Sequence, residues 1–143
     1  FLAPFGEARQ FYYGHTYTAN PLACAVALEN LALFAEGGVL AALPGKIAQL
    51  QAGLQRFHGQ SWAGEVRQFG LMAAIALRDP RTNAPYPYGD RVEYAVCRRA
   101  REMGVYSRPL GDLLTIVPPL SVTAAEIDTI LNVLYDAMAE GRS

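Results

Sequence analysis

Three polar side chains lie immediately before the start of a predicted helix. They are His15, Thr16 and Thr18, and Asn20-Pro21 follows them. Asn is a frequent helix N-cap, and Pro is favoured at the first helical position. Hydroxyls and free backbone N–H groups beside a helix N-terminus form an anion site, because the helix dipole favours negative charge there. Phosphate is the commonest such ligand, although ordinary capping and turn hydrogen bonds explain most Ser/Thr clusters of this kind.

Arg108 has a setting that can present one charged side chain rigidly. It precedes Pro109, which keeps the preceding backbone extended, and Gly111 permits a tight turn into the apolar run LLTIV. The planar guanidinium suits bidentate binding of a carboxylate better than a lysine ammonium does. From the residues alone, the alternative is an ordinary surface arginine that follows a strand.

Other residues with chemical potential are expected to have structural roles. Lys46 is the only lysine and lies in a solvent-facing helical pattern, so we expect an ordinary surface residue. His58 is expected to end a helix, where the dipole favours it. Cys24 and Cys97 occur in apolar helical patterns without metal-ligand spacing, which indicates buried free thiols in a reducing compartment.

Hydrophobic periodicity predicts the elements that position these residues. The predicted helices span 21–35, 39–57, 91–103 and 124–139. Residues 64–78 are predicted to form two strands or one bent strand, with Gly70 at the bend, and short strands are predicted at 105–107 and 113–117. Thr123 and Glu126 form a capping box that opens the last helix. The order predicts an α+β fold, with a small antiparallel or mixed sheet that has helices packed on one face. The helix from Pro21 precedes it as a long connecting helix, and its all-round apolar pattern predicts burial on several sides.

The composition limits the possible functions. The chain has 143 residues, is 52% hydrophobic and 17% charged, and carries a formal net charge of −1. These values indicate a globular protein without the basic surface typical of nucleic-acid or acidic-membrane binding. No apolar run approaches the roughly 20 residues of a membrane span, and no signal peptide is evident. Because the chain begins at Phe1 inside an irregular apolar segment, we expect a piece of a longer protein.

Three segments resemble the class III, pyridoxal-phosphate-dependent aminotransferases, and they occur in that family's order. GHTYTANPLACA is similar to a segment that usually reads GHTYTGNPLACA in the family, and GEVRQFGLMAAIAL resembles its strand pair with an R-x-x-G-L-M core. GVYSRPLGDLLTIVPPLSVTAAEID resembles the family's C-terminal domain. One departure is Ala19, where the family usually has Gly. If this position needs a positive φ, Ala costs about 1 kcal/mol there.

The resemblance implies a cofactor, partners and roles for specific residues. The cofactor would be pyridoxal 5′-phosphate, and the Thr16 hydroxyl would donate to the phosphate of the neighbouring subunit's cofactor in a homodimer. Gly14 and His15 would line the substrate channel, and Arg108 would pair with the carboxylate of a keto-amino acid substrate. An amino donor would be the second small molecule, and the location would be cytoplasmic. Residues 1–36 would end the large cofactor domain, and residues 37–143 would form the C-terminal small domain.

The residues that perform the chemistry in this family lie upstream of the GHTYT segment. They are a lysine that carries the cofactor as a Schiff base, an aspartate at the pyridinium nitrogen and an aromatic residue on the ring. We therefore expect no catalytic residue in this chain, and no activity from it alone. The alternatives are another class III omega-aminotransferase, or a non-catalytic α+β module that binds anions or dimerises through the helix from Pro21.

Overall fold

The structure is a computed structural model, and it describes residues 4–7, 9, 14 and 18–140. The chain divides into two compact units, Phe1–Gly38 and Val39–Ser143. The helices are α1 (Pro21–Glu36), α2 (Val39–Leu54), α3 (Val92–Glu102) and α4 (Ala124–Glu140). The strands are β1 (Ala63–Phe69), β2 (Met72–Leu77), β3 (Pro109–Leu110) and β4 (Leu113–Ile116). Short 3-10 turns occur at Phe5–Glu7, Gln55–Phe57 and Tyr88–Asp90.

Helix α1 belongs to the first unit and begins where the sequence predicts. Its N-cap is Asn20, and Pro21 is the first helical residue. None of its residues is buried by the described part of the chain, and its leucines remain largely exposed, Leu22 by 79%. The described chain therefore does not itself provide the predicted burial on several sides, which stays a prediction. Cys24, on the same helix, is exposed rather than buried as predicted. An apolar pattern shows that a helix lacks a polar face, and it does not show what covers that helix.

In the described residues no single helix is both long and apolar enough to cross a membrane. Helices α1 and α2 would meet the length and composition requirement only as a bent pair taken together.

The second unit is built on a four-stranded antiparallel sheet with the order β1-β2-β4-β3. Strands β1 and β2 form a hairpin whose turn contains Gly70 at φ +59°, as the sequence predicts. At the centre of the sheet, Ile75 of β2 faces Leu114 of β4. Together with the helices, this antiparallel sheet confirms the predicted α+β fold class.

The predicted strand 105–107 is wrong. The strand beside β4 is instead Pro109–Leu110, which pairs across a tight turn through Gly111 at φ +61°. Strand β3 begins at Pro109, which pairs with Leu114, and residues 105–108 are not part of the strand. Val105 and Ser107 are nevertheless buried, which explains the strand-like alternation of the sequence.

The core lies between the sheet and the helices α2, α3 and α4. Its most completely buried large side chains include Phe57, Leu50, Ile75, Leu114 and Leu134. Helix α4 begins with the predicted capping box. The Thr123 N–H donates to Glu126 Oε2 at 2.7 Å, and the Glu126 N–H donates to Thr123 Oγ1 at 3.2 Å. The Thr123 N–H, and then the Thr123 hydroxyl, which donates to Glu126 Oε2 at 2.8 Å, lower the pKa of Glu126.

Candidate functional site

The predicted site residues fall in two parts of the chain. Gly14 is described and exposed, whereas His15 and Thr16 lie outside the described residues. Arg108 is described and exposed in the second unit. The N-terminus of α1 and Arg108 belong to different units, and each is described by itself.

The N-terminus of α1 has no free donor for an anion in its first turn. Asn20 Oδ1 accepts hydrogen bonds from the N–H groups of Leu22 and Ala23, at 3.0 and 3.2 Å. The Cys24 N–H donates to the Asn20 carbonyl at 2.9 Å, and Pro21 has no N–H. The N–H groups of this first turn are therefore occupied, and the anion site beside the helix N-terminus stays a prediction. A phosphate near this end would have to be bound by groups that precede the helix, with only the dipole contributed by α1.

Ala19 adopts the left-handed conformation that the sequence comparison anticipated. Its φ is +59°, a region in which a non-glycine residue costs about 1 kcal/mol. The turn that leads into α1 thus has the shape for which glycine would be the usual residue, and alanine is accommodated there with strain.

Arg108 is held at the edge of the sheet by hydrogen bonds to its backbone and not to its guanidinium. The Thr115 hydroxyl donates to the Arg108 carbonyl at 2.8 Å. Ser107, which is 7% exposed, donates its hydroxyl to the Thr115 carbonyl at 2.9 Å. Among the described residues, no acidic side chain pairs with Arg108. The guanidinium is therefore available to bind an anion.

Arg108 lines a groove between α3 and the segment 106–111. The groove has a volume of about 880 Å³, and the arginines Arg91, Arg98, Arg101 and Arg108 contribute to its wall, with Asp90 and Glu93 as its acidic residues. None of these arginines forms an ion pair within the described residues. Four positive charges against two negative ones favour a negatively charged ligand.

Two aromatic rings stabilise the arginines of this groove. The Arg101 guanidinium lies 4.9 Å from the ring centre of Tyr106, and that of Arg91 lies 4.0 Å from the ring centre of Tyr94. Sequence reasoning did not identify Arg98 and Arg101. The sequence feature that could have identified them is their i, i+3 spacing, which places both side chains on one side of a helix. That helix is the one that precedes Arg108 in the chain.

The only lysine does not lie in this groove. Lys46 Nζ donates to the Leu120 carbonyl at 2.7 Å and so links α2 to the segment before α4. His58 is exposed, and its N–H donates to the Gln55 carbonyl at the end of a 3-10 turn. Both residues have the structural roles that the sequence indicates.

Comparison with known proteins identifies the family. The model of the family "Aminotransferase class-III" matches residues 3–138. The adenosylmethionine-8-amino-7-oxononanoate aminotransferase of Aquifex aeolicus is 45% identical over 98% of this chain, which spans 31% of that protein. The crystal structure of the enzyme of that name from Methanocaldococcus jannaschii has a TM-score of 0.88 and 40% identity, covering 100% of this chain and 33% of that one.

More distant relatives belong to other groups of transaminases. A thermostable omega transaminase mutant from Pseudomonas jessenii has a TM-score of 0.82 and 33% identity, covering 92% of this chain and 29% of its own. A probable gamma-aminobutyrate transaminase 2 of rice is 30% identical over 90% of this chain and 26% of its own length. The chain thus spans about 30% of the length of the relatives it matches.

Proposed function

This chain belongs to the class III aminotransferase family, and on that premise we propose that it is the C-terminal part of an enzyme of biotin synthesis. The reaction transfers an amino group to 8-amino-7-oxononanoate and gives 7,8-diaminononanoate. The supporting relatives named for this substrate are 32–45% identical to the chain in six species, against 30% for the gamma-aminobutyrate transaminase. The family match over residues 3–138 argues against an unrelated anion-binding or dimerisation module.

The observation that carries the substrate assignment is the unpaired Arg108 in a groove of positive charge. The substrate is a carboxylate, and a guanidinium without an internal partner offers two parallel N–H donors to it. Arg98 and Arg101 line the same groove, so their charge favours approach of the carboxylate end. Gly14 and His15 would line the substrate channel.

The cofactor of the intact enzyme would be pyridoxal 5′-phosphate, which when bound supplies an electron sink for amino transfer. Of the residues that would hold this cofactor, the chain would supply only one, at the phosphate group. Its sole lysine, Lys46, is hydrogen-bonded to the Leu120 carbonyl and is not available to carry a cofactor. Thr16 would donate its hydroxyl to the cofactor phosphate of the neighbouring subunit. The chain by itself would therefore be inactive.

The test of the substrate assignment is the Arg108→Ala variant of the intact enzyme. Removing one partner of a desolvated charge pair costs roughly 2–5 kcal/mol of binding. We expect kcat/KM for 8-amino-7-oxononanoate to fall by about 30-fold or more, because each 1.4 kcal/mol is a factor of ten. The half-reaction with an amino donor that lacks a distal carboxylate should be nearly unchanged. The control is Arg67→Ala, which removes an exposed arginine of β1 that pairs with Glu65 at 3.4 Å.

The two half-reactions separate the possible outcomes. Equal losses in both would assign Arg108 a structural role. Unchanged activity of Arg108→Ala on the carboxylate substrate would show that Arg108 does not belong to the site. It would favour the alternative function, another omega-aminotransferase, since the chain is also similar to the omega transaminase structure from Pseudomonas jessenii.

A further inference from the structure

Arg108 lies just beyond the backbone ladder of the sheet. Strand β3 has only two residues, and its first, Pro109, has no N–H. The residue that would bind substrate thus precedes the first residue of the strand. Any further hydrogen bond to its backbone would help to hold Arg108 in one place.

Two hydroxyl groups provide that restraint. The Thr115 hydroxyl donates to the Arg108 carbonyl at 2.8 Å, and the Ser107 hydroxyl donates to the Thr115 carbonyl at 2.9 Å. The two bonds run in opposite directions between the same two chain segments. Together they tie the segment that contains Arg108 to β4 beyond the end of β3.

Thr115 is itself firmly positioned. It pairs with Ala74 of β2 in the centre of the sheet, and its neighbours Leu114 and Ile116 are 0% and 4% exposed. Residues so deeply packed hold the intervening backbone in one place. The restraint on Arg108 thus extends from the core through β4 to the Arg108 carbonyl.

We propose that Ser107 and Thr115 are positioning residues that orient Arg108 toward the substrate carboxylate, an inference that rests on the function proposed above. A hydrogen bond to the Arg108 carbonyl limits rotation of the peptide after Arg108, and Pro109 already favours extended backbone at that residue. The backbone of Arg108, and with it the direction of its Cα–Cβ bond, is then fixed before substrate arrives. A preorganised donor binds more tightly because less freedom is lost on binding.

The experiment uses three variants of the intact enzyme. Thr115→Val removes the hydroxyl but keeps the shape and a strong preference for strands. Thr115→Ser keeps the hydroxyl, and Ser107→Ala tests the second bond. The control is Thr129→Val, which removes a hydroxyl that donates to the Ala125 carbonyl at 2.9 Å on α4. Each substitution is also made in the Arg108→Ala background.

We expect Thr115→Val to lower kcat/KM for 8-amino-7-oxononanoate by about two- to tenfold, the range of one net hydrogen bond. The loss should appear mainly in KM, and the amino-donor half-reaction should not change. Thr115→Ser should retain most of the activity, Ser107→Ala should resemble Thr115→Val, and Thr129→Val should behave as wild type. In the Arg108→Ala background, Thr115→Val should have no further effect, because it acts only through Arg108.

Two results would overturn the inference. One is wild-type kcat/KM in both Thr115→Val and Ser107→Ala while Arg108→Ala is impaired. The other is a loss that persists undiminished in the Arg108→Ala background, which would show a structural effect. Failure of the proposed function is visible separately, since the unmodified enzyme would then not use this substrate or Arg108→Ala would not impair it.

Discussion

At the scale of a single residue, Asp79 makes stability depend on pH. Asp79 is 8% exposed, and its carboxylate accepts hydrogen bonds from the Arg81 side chain at 2.9 and 3.1 Å and from the Arg81 backbone N–H at 2.9 Å. These bonds, the side-chain ones most, hold the pKa of Asp79 below its ordinary value. The stabilisation is complete above the unfolded-state pKa, near 4, and is lost as the pH falls through the lower folded-state pKa.

Asp79→Asn should therefore destabilise the intact enzyme at about pH 7, and the difference from wild type should shrink toward about pH 3. Urea unfolding at the two pH values measures this. Asp136→Asn, at an exposed position of α4, is the control and should change the unfolding midpoint little. A difference between Asp79→Asn and wild type that is the same at both pH values would mean that the Asp79 charge contributes nothing.

The site residues could be predicted only in part from sequence, because some of their properties are set by neighbours. The left-handed turn at Ala19 follows from the family pattern alone, and its φ of +59° confirms it. By contrast, the sequence identifies Asn20 as a helix cap. It does not show that the Asn20 side chain accepts the hydrogen bonds of the Leu22 and Ala23 N–H groups. A cap and an anion compete for the same N–H groups, and sequence does not show which of them wins.

At the scale of elements, substitution of two glycines of α2 distinguishes the effect of packing on stability from the effect of helix propensity. A Cβ added at Gly53 would collide with the side chain of Leu131 on α4, which is 2% exposed and cannot move aside easily. A Cβ added at Gly45 would contact nothing within 4 Å. Both Gly→Ala substitutions gain helix propensity, about 1 kcal/mol. Only the one at Gly53 adds overpacking, about 1–3 kcal/mol.

The unfolding free energy of Gly53→Ala should therefore lie about 1–3 kcal/mol below that of Gly45→Ala, and Gly45→Ala should be at least as stable as wild type. Denaturant unfolding of the intact enzyme gives both values. If the two variants were equally stable, the contact between α2 and α4 would be loose enough to admit a methyl group.

The elements that could be predicted are those whose signals are local. The capping box of Thr123 and Glu126 and the turn at Gly70 are set by residues a few positions apart, and both are confirmed. The strand predicted at 105–107 is wrong because alternate burial reports which side chains face the core. It does not report whether the backbone forms a strand, and here the hydroxyls of Ser107 and Thr115 link the two segments.

At the scale of the whole molecule, the two units differ in how far their own residues bury their apolar side chains. The unit of residues 39–143 contains a core formed by its own sheet and helices, so its apolar patterns predict its fold. Helix α1 has apolar residues on all sides and buries none of them in the described chain. The same contrast applies to the proposed site. Arg108 is placed by its own sheet, whereas the proposed partner of Thr16 belongs to a second subunit.

Thr16→Ala in the intact enzyme tests that proposed arrangement across the subunit interface. Loss of one hydrogen bond to a charged phosphate costs about 1.5–3 kcal/mol, so the Kd for pyridoxal 5′-phosphate should rise by roughly 10- to 100-fold. The half-reactions at saturating cofactor should be affected less. Because the contact would join two subunits, cofactor binding and dimerisation are linked, and each must strengthen the other by the same factor.

Addition of cofactor should therefore tighten the wild-type dimer more than the Thr16→Ala dimer. Sedimentation over a range of protein concentrations, with and without cofactor, gives the dimer dissociation constants. Thr129→Val, remote in sequence from the GHTYT segment, is the control and should match wild type in both measurements. Unchanged cofactor affinity in Thr16→Ala would make Thr16 a turn residue. A weaker cofactor affinity with an unchanged effect on dimerisation would place the contact within one subunit, because a contact that does not cross the interface cannot couple the two equilibria.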